Sequence, residues 1–179
     1  MRFSNERSSI MNTNLDDLIS LNSKQPPLFQ DWHVLQLVEE VCDALQSRLG
    51  AHNIEVELDI PETTTIWGDA TMIRHALFNL VLNAIDAMPA TGQLQITSWS
   101  GPCGLELEVA DSGAGIDTNN CNQLFDATYT TKGEGRGQGL MLVKKVVGLH
   151  GGQVSVSNCP QGGAAFTMHL PRQAAQAAA

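Results

Sequence analysis

The sequence predicts an α/β fold of the sandwich type, in which helices pack on one face of a mixed β-sheet. Segments with helical apolar periodicity are interleaved with short alternating segments, and several alternating segments are joined by tight turns. The chain has 179 residues, which suffices for one domain and a short appendage. Its hydrophobic content of 42% supports a buried core.

The charge and the cysteines narrow the function classes. A net charge of −9 disfavours both a nucleic-acid surface and a polybasic membrane anchor. The sequence contains neither an apolar run of about 18 residues, as a membrane span requires, nor a recognisable signal peptide. Cys42, Cys103, Cys121 and Cys159 are widely spaced, which favours free thiols over a metal site or a disulfide. We therefore expect a cytoplasmic domain with no nucleic-acid partner and no direct membrane contact.

The first quarter of the chain predicts two helices. Residues 1–9 are polar and are expected to be disordered, whereas residues 11–22 carry an apolar stripe at helical spacing that needs a packing partner. The proline pair at 26–27 ends this first helix. A second helix is predicted over residues 32–49, with Asp31 as its N-cap and Gly50 as its terminator.

A half-buried strand and a central helix follow. Residues 53–60 alternate strictly between apolar and mostly acidic side chains, which predicts a strand, and residues 61–68 are expected to form a loop. Residues 69–88 form the strongest predicted helix, which Asp69 can cap and Pro89 cannot continue. Apolar residues cover most of its circumference, so it is expected to be central and largely buried.

Four strands and one helix complete the predicted sandwich. They are strands at 93–99 and 105–110, a helix at 139–149 after a long loop, and strands at 153–157 and 164–170.

The long loop, residues 111–140, contains two glycine clusters. Glycine lets the backbone approach a ligand closely, and the second cluster runs directly into a predicted helix. Free N–H groups at a helix N-terminus bind anions, so this arrangement suits phosphate, although a merely flexible loop explains the glycines equally well. The loop has neither the Walker A pattern nor the dinucleotide-binding fingerprint.

Two asparagines interrupt the apolar surface of the central helix. Asn79 and Asn83 are four residues apart and share one face. A buried asparagine without a partner is costly, and an amide oxygen can bind a hard cation such as Mg²⁺ that shares phosphate ligands. The alternative is that one asparagine caps a neighbouring loop in an ordinary helix.

Four blocks in this part of the chain resemble the N, G1, F and G2 boxes of sensor histidine kinases. They are FNLVLNAIDAMP, DSGAGI, LFDATYTTK, and GRGQGL followed by HGG. These kinases belong to an ATPase family shared with DNA gyrase, the heat-shock protein of the ninety-kilodalton class and MutL. The order and spacing fit over residues 53–171, and the NAIDAMP and TTK details look most like the nitrogen-regulation type.

The resemblance implies the Bergerat ATP-binding fold, a two-layer sandwich with a mixed, mostly antiparallel sheet. It also implies a domain plan for this chain. Residues 1–24 would be a disordered start and the remnant of a dimerisation-domain helix, 25–31 a linker, 32–171 the catalytic ATP-binding domain, and 172–179 a disordered tail.

The resemblance implies ATP and Mg²⁺ as cofactors and assigns roles to individual residues. Asn83 would be the Mg²⁺ ligand and Asn79 a helper on the phosphate side, which makes these two the catalytic residues. Asp111 would accept a hydrogen bond from the adenine amino group, unless it simply caps a turn. Gly113 and Gly115 would pass close to the purine.

The other implied nucleotide-binding positions lie in the first glycine loop, the lid and the second glycine loop. They are Ile116, Phe125, Thr131, Lys132, Gly135, Arg136, Gly137, Gly139 and Leu140. Phe125 would anchor the lid or belong to the core. Lys132 would reach the phosphates or remain solvated.

Three departures from the family pattern bear on activity. Arg136 and Gln138 replace the usual Thr and Leu of the second loop, and Ala164 stands where Ser or Thr is common. Gyrase and MutL place a Glu where this chain has Asn79, so the chain lacks that general base for water. The resemblance therefore implies phosphoryl transfer to a protein histidine rather than rapid ATP hydrolysis.

None of the five histidines has the sequence context of a phosphate acceptor. The implied partners are thus a histidine-containing dimerisation domain, in the full-length kinase or another chain, and a response regulator. Two alternatives stay open: a non-catalytic, nucleotide-binding regulatory module, and a serine kinase of the anti-sigma type.

Overall fold

The structure, a computed structural model, describes residues 27–117, 124–125 and 138–172. Within these residues, short strands and three helices follow one another along the chain. They are β1 (Gln30–His33), α1 (Val34–Ala51), β2 (Ile54–Asp59), β3 (Thr65–Gly68), α2 (Ala70–Ala87), β4 (Gly92–Gly101), β5 (Gly104–Asp111), α3 (Gln138–Leu149), β6 (Gln153–Asn158) and β7 (Ala164–Pro171).

Five strands form the main sheet in the order β2-β4-β5-β7-β6. The β2–β4 pair is parallel, and the other three pairs are antiparallel. The mixed, mostly antiparallel sheet is therefore confirmed. Strand β5 lies at its centre, which places the C-terminal residue of β5, Asp111, at the middle of one sheet edge.

The helices cover one face of this sheet. In β5, Leu105, Leu107 and Val109 point into the core, while Glu106 and Glu108 lie on the other face. The same core contains the apolar sides of α1, α2 and α3. This alternation confirms the predicted two-layer sandwich.

Helix α2 is the central helix that its composition predicted. Nine of its 18 residues are buried, and Asp69 caps it by accepting hydrogen bonds from the backbone N–H groups of Thr71 (2.9 Å) and Met72 (3.1 Å). The helix therefore gives the side chains along its one polar stripe a fixed spacing and direction.

His150 ties the far ends of α2 and α3 together. Its Nε2 accepts a hydrogen bond from the Asp69 N–H (3.1 Å), and its Nδ1 donates to the Val146 carbonyl (2.7 Å). The ring also lies against Phe29, at a centroid distance of 4.9 Å. The two helices that border the candidate site are thus held in one arrangement at the end remote from it.

The start of α1 differs from the prediction. Asp31 does not cap the helix, because it lies in β1, which pairs antiparallel with β3. The helix instead begins after His33, which makes no side-chain cap, and the Val34 N–H donates to Thr64 O. The prediction of a loop over residues 61–68 was also wrong, because its last four residues form β3, the strand that pairs with β1.

The end of α1 also differs. Gly50 lies inside the helix, which continues to Ala51. No atom of the described residues lies within 4 Å of the position a Gly50 side chain would take, so a glycine is tolerated here and is not needed to end the helix. None of the helices in the described part of the chain is long and apolar enough to span a membrane.

Candidate functional site

Three residues on α2, at helical spacing, define the floor of the candidate site. Asn79, Asn83 and Ala87 are successive members of one i, i+4 stripe. The start of α3 lies at one end of this stripe, since a side chain on Gly139 would come within 2.7 Å of Asn79 Oδ1. The first glycine loop lies at the other end, since a side chain on Gly113 would come within 2.5 Å of the Ala87 carbonyl oxygen. The stripe spans about 12 Å along the helix axis.

We call the two ends of the stripe the helix end, comprising Asn79, Asn83 and Gly139, and the loop end, comprising Asp111, Gly113 and Ile116. Asn83 lies between the two glycine contacts. Gly139 and Gly113, from two separate parts of the chain, thus lie against the same stripe of α2.

At the helix end, the Asn83 side chain carries a buried donor, its Nδ2 atom, without a hydrogen-bond partner among the described residues. A buried amide that lacks a partner costs free energy, so this position suits a ligand with acceptor atoms. An amide offers an oxygen to a cation at the same time as it offers N–H groups to an anion, which fits a metal-bound phosphate.

Asn79 differs from Asn83, because its Nδ2 donates to the backbone carbonyl of His75 at 2.8 Å. This bond directs Asn79 Oδ1 towards the start of α3. An amide cannot accept a proton at neutral pH, so Asn79 cannot act as a general base.

Burial, and then the nearby Arg74 charge, lower the pKa of His75, which favours its neutral form.

At the loop end, Asp111 is buried at 5% exposure. Its Oδ1 accepts hydrogen bonds from the backbone N–H groups of Gly113 (2.8 Å) and Ala164 (3.4 Å). Burial raises the pKa of Asp111, and these two hydrogen bonds partly oppose that rise. Because both bonds fall on Oδ1, the Oδ2 atom keeps its accepting capacity with respect to the described residues. A ligand with an N–H group can use it.

Glycine is required at two positions around Asp111. A side chain on Gly113 would also meet Asp111 Oδ1, at 2.8 Å. Gly163, with φ of +87°, lies directly against the Asp111 carbonyl oxygen, where a side chain would clash with the backbone. The loop and the β6–β7 turn therefore close tightly around the buried carboxylate.

Ile116 is held by a residue that the sequence analysis missed. The side chain of Asn158, at the end of β6, accepts a hydrogen bond from the Ile116 N–H (2.8 Å) and donates one to the Ile116 carbonyl (2.9 Å). Gly115, with φ of +73°, lies beside the same amide. The Asn158-Cys159-Pro160 stretch, an asparagine at the end of a strand before a proline turn, was the available sequence signal.

Phe125 and Leu140 lie at the edge of the core. Phe125 is 9% exposed and packs edge-on against Phe166, with ring centroids 6.4 Å apart. Leu140, on the first turn of α3, is half-buried against the core. The predicted roles of Thr131, Lys132, Gly135, Arg136 and Gly137 fall on residues outside those described.

The ATPase family "Histidine kinase-, DNA gyrase B-, and HSP90-like ATPase" matches this chain over residues 68–174. Among curated relatives, the sensor histidine kinase ZraS of Escherichia coli O157:H7 is 36% identical over 141 residues, which are 78% of this chain and 29% of that protein. The signal transduction histidine-protein kinase AtoS of Escherichia coli strain K12 is 29% identical over 164 residues, which are 90% of this chain and 27% of that protein. The chain thus spans less than a third of the length of these relatives.

Solved structures agree with the sequence matches. The nucleotide-free catalytic domain of the histidine kinase ThkA superposes with a TM-score of 0.75 at 29% identity, over 80% of this chain and 95% of that one. Full-length ShkA in complex with AMPPNP superposes with a TM-score of 0.72 at 25% identity, over 83% of this chain and 32% of that one. The fold of this chain is therefore that of histidine kinase catalytic domains.

Proposed function

The chain belongs to the histidine kinase-, DNA gyrase B- and HSP90-like ATPase family, and on that premise we propose that it is the catalytic, ATP-binding part of a two-component sensor histidine kinase. It would bind Mg-ATP and donate the γ-phosphate to a histidine on a dimerisation domain. The observation that carries this proposal is the α2 stripe: Gly139 lies against Asn79 at one end, Gly113 lies against Ala87 at the other, and between them the Asn83 Nδ2 has no partner among the described residues.

The loop end would bind the adenine. Asp111 Oδ2, which accepts no hydrogen bond from the described residues, can accept one from the exocyclic amino group. The two backbone hydrogen bonds on Oδ1 hold the carboxylate in one orientation. The absence of side chains at Gly113 and Gly115 lets the loop backbone pack closely against its neighbours, and this backbone would form one wall of the base site. A purine with a carbonyl group in place of the amino group would face the carboxylate with a second acceptor.

The helix end would bind the phosphates. Asn83 would supply its amide oxygen to Mg²⁺, with phosphate oxygens and waters as the remaining ligands, and this ion would neutralise phosphate charge. The first turn of α3, beside Asn79, would present backbone N–H groups to the phosphates. The predicted contributions of Thr131, Lys132, Gly135, Arg136 and Gly137 belong to this end and remain proposals, as does the role of Phe125 as anchor of the lid.

Transfer to a protein acceptor is favoured over hydrolysis. Asn79 occupies the position of the catalytic Glu of the hydrolytic relatives, and its amide is engaged with His75 O. Catalysis would then come from positioning and from neutralisation of the phosphate charge. The acceptor histidine would lie on a dimerisation domain, and a response regulator would receive the phosphate afterwards. We also propose a cytoplasmic location, and the nitrogen-regulation type remains a prediction.

The first experiment is a calorimetric titration of the purified chain with ATP, with and without Mg²⁺, followed by incubation with a histidine-containing dimerisation domain from a related kinase. We expect Mg-dependent binding and acid-labile labelling of the acceptor. Binding without labelling would favour the non-catalytic regulatory module, and acid-stable labelling of a partner serine would favour the anti-sigma type. A chain that binds no ATP in either condition would overturn the proposal.

A further inference from the structure

Building on the proposed function, we infer that Asn158 is a positioning residue that sets the chain's selectivity for adenine. It does not reach the proposed ligand-binding atoms of Asp111. It acts through the backbone of Ile116, in the first glycine loop. The Asn158–Ile116 contact belongs to a circuit of hydrogen bonds and backbone that encloses the loop end.

The first part of the circuit is the contact between Asn158 and Ile116. One planar amide makes two hydrogen bonds with one residue's backbone, at 2.8 Å and 2.9 Å, across a separation of 42 residues. The amide bonds both backbone polar groups of one residue, as a residue of a neighbouring antiparallel strand would. The contact therefore fixes the position and the orientation of the loop at Ile116.

The second part of the circuit runs through the β6–β7 hairpin. Asn158 pairs with Ala164 in the strand register, and the Ala164 N–H donates to Asp111 Oδ1. From Ile116 the chain leads back to Gly113, whose N–H donates to the same oxygen. Two side chains thus complete a closed ring: the Asn158 amide on one side, and on the other the Asp111 carboxylate that is proposed to recognise adenine.

The backbone at Gly115, inside this ring, is closely packed. A side chain on Gly115 would lie 2.8 Å from Asn158 Oδ1 and 3.2 Å from the Gly163 carbonyl oxygen. The backbone of the loop therefore passes directly against the hairpin. Without the amide, water would compete for both Ile116 backbone groups, and the loop would be released from the hairpin on one side.

This role predicts a particular kind of defect. The helix end contains none of the atoms of the ring, so phosphate binding should survive removal of the Asn158 amide. Recognition of the base should weaken, because the wall formed by residues 113–116 would no longer have one fixed position. A residue that only stabilised the fold would weaken the binding of every nucleotide equally.

The test compares wild type with Asn158→Ala, using ATP and CTP as calorimetric ligands in the presence of Mg²⁺. CTP carries the same triphosphate on a smaller base. We expect Asn158→Ala to weaken ATP binding by about 5- to 10-fold, the size of one or two exposed hydrogen bonds, and to leave CTP binding within about 2-fold. The preference for ATP over CTP should fall by the same factor.

Ser155→Ala is the matched control. Ser155 is an exposed residue on the same strand, and its hydroxyl contacts His169 on the open face of the sheet. It should alter neither affinity. Thermal melting of all three proteins without ligand separates folding defects from binding defects.

Unchanged ATP affinity in Asn158→Ala would overturn the inference, as would an equal loss for ATP and CTP. In both cases the proposed function would stand, because wild type still binds Mg-ATP. A wild-type chain that binds neither nucleotide would overturn the proposed function and this inference together.

Discussion

The loop end and the helix end satisfy their polar groups in different ways. At the loop end, backbone N–H groups hold Asp111 Oδ1, and the Asn158 amide holds both backbone groups of Ile116. At the helix end, the buried Nδ2 of Asn83 has no partner among the described residues. One end is built by contacts within the protein, whereas the other contains a buried polar group that none of the described residues satisfies.

Because of this difference, a substitution at one end should change stability as well as ligand binding, whereas a substitution at the other end should change only ligand binding. A group that is bound within the protein contributes to stability as well as to binding, so its removal should lower both. A buried group without a protein partner contributes little to stability or opposes it, so its removal should affect only the ligand. Functional sites often contain such locally unfavourable groups.

The largest effect is expected from Asn83→Ala. Loss of the proposed metal ligand should reduce phosphoryl transfer by at least about 100-fold, a size typical of one transition-state contact. The free energy of unfolding without ligand should change by less than about 1 kcal/mol, because the buried Nδ2 of Asn83 has no partner among the described residues. Transfer assays and denaturant titrations measure the two quantities.

Arg74→Ala provides the control on the same helix. Its guanidinium contacts Glu40 at 2.7 Å on a half-exposed surface, and such pairs contribute at most about 1 kcal/mol. Transfer should be unaffected by this change. Normal transfer in Asn83→Ala would remove the proposed metal ligand and, with it, the distinction between the two ends.

The next largest effect is expected from Asp111→Asn. The new Oδ1 can still accept from Gly113 and Ala164, but an N–H₂ group then replaces the free oxygen and opposes the adenine amino group. ATP affinity should fall by about 100-fold. Inosine triphosphate carries a carbonyl acceptor at that position, so its affinity should rise relative to that of ATP.

Calorimetry with both nucleotides measures this reversal. A parallel loss for ATP and inosine triphosphate would mean that Asp111 maintains the shape of the loop end without recognising the amino group.

The sequence predicted those parts of the fold that have a local or periodic cause. The Asp69 cap follows from one residue beside a helical pattern, and β5 follows from strict alternation. The β1–β3 pair was missed because each strand has four residues, too few for a periodic pattern, and their pairing joins residues 30–33 to residues 65–68. No local preference encodes such a contact.

The same division between local patterns and long-range contacts applies to the site. Asn79, Asn83 and Asp111 could be proposed as site residues from the sequence, because they are polar residues beside apolar patterns and fall in recognisable blocks. Asn158 was missed because its contact with Ile116 depends on the sheet register that brings β6 beside the first glycine loop. Single-chain patterns identify unusual residues on an element, but they do not identify which residue holds another in place.

The smallest predicted effect is a pH dependence in which the stability of the fold and the affinity for ATP change in opposite directions. Burial raises the pKa of Asp111 above its ordinary value. The protonated form is therefore favoured by folding, and its contribution to stability is present below the unfolded pKa and lost as the pH rises through the folded pKa. Adenine recognition requires the ionised carboxylate, so affinity should fall as the pH falls through the same range.

The difference in free energy of unfolding between wild type and Asp111→Asn isolates this group, since all other titrations cancel. We expect wild type to gain stability relative to the variant as the pH is lowered from neutral, by about 1.4 kcal/mol for each unit by which the folded pKa exceeds the unfolded value. ATP affinity of wild type, corrected for protonation of the nucleotide, should decline over that interval. A pH-independent difference would mean that solvent or the two backbone hydrogen bonds offset the burial of Asp111, and ATP affinity would then decline only near the ordinary pKa of an aspartate.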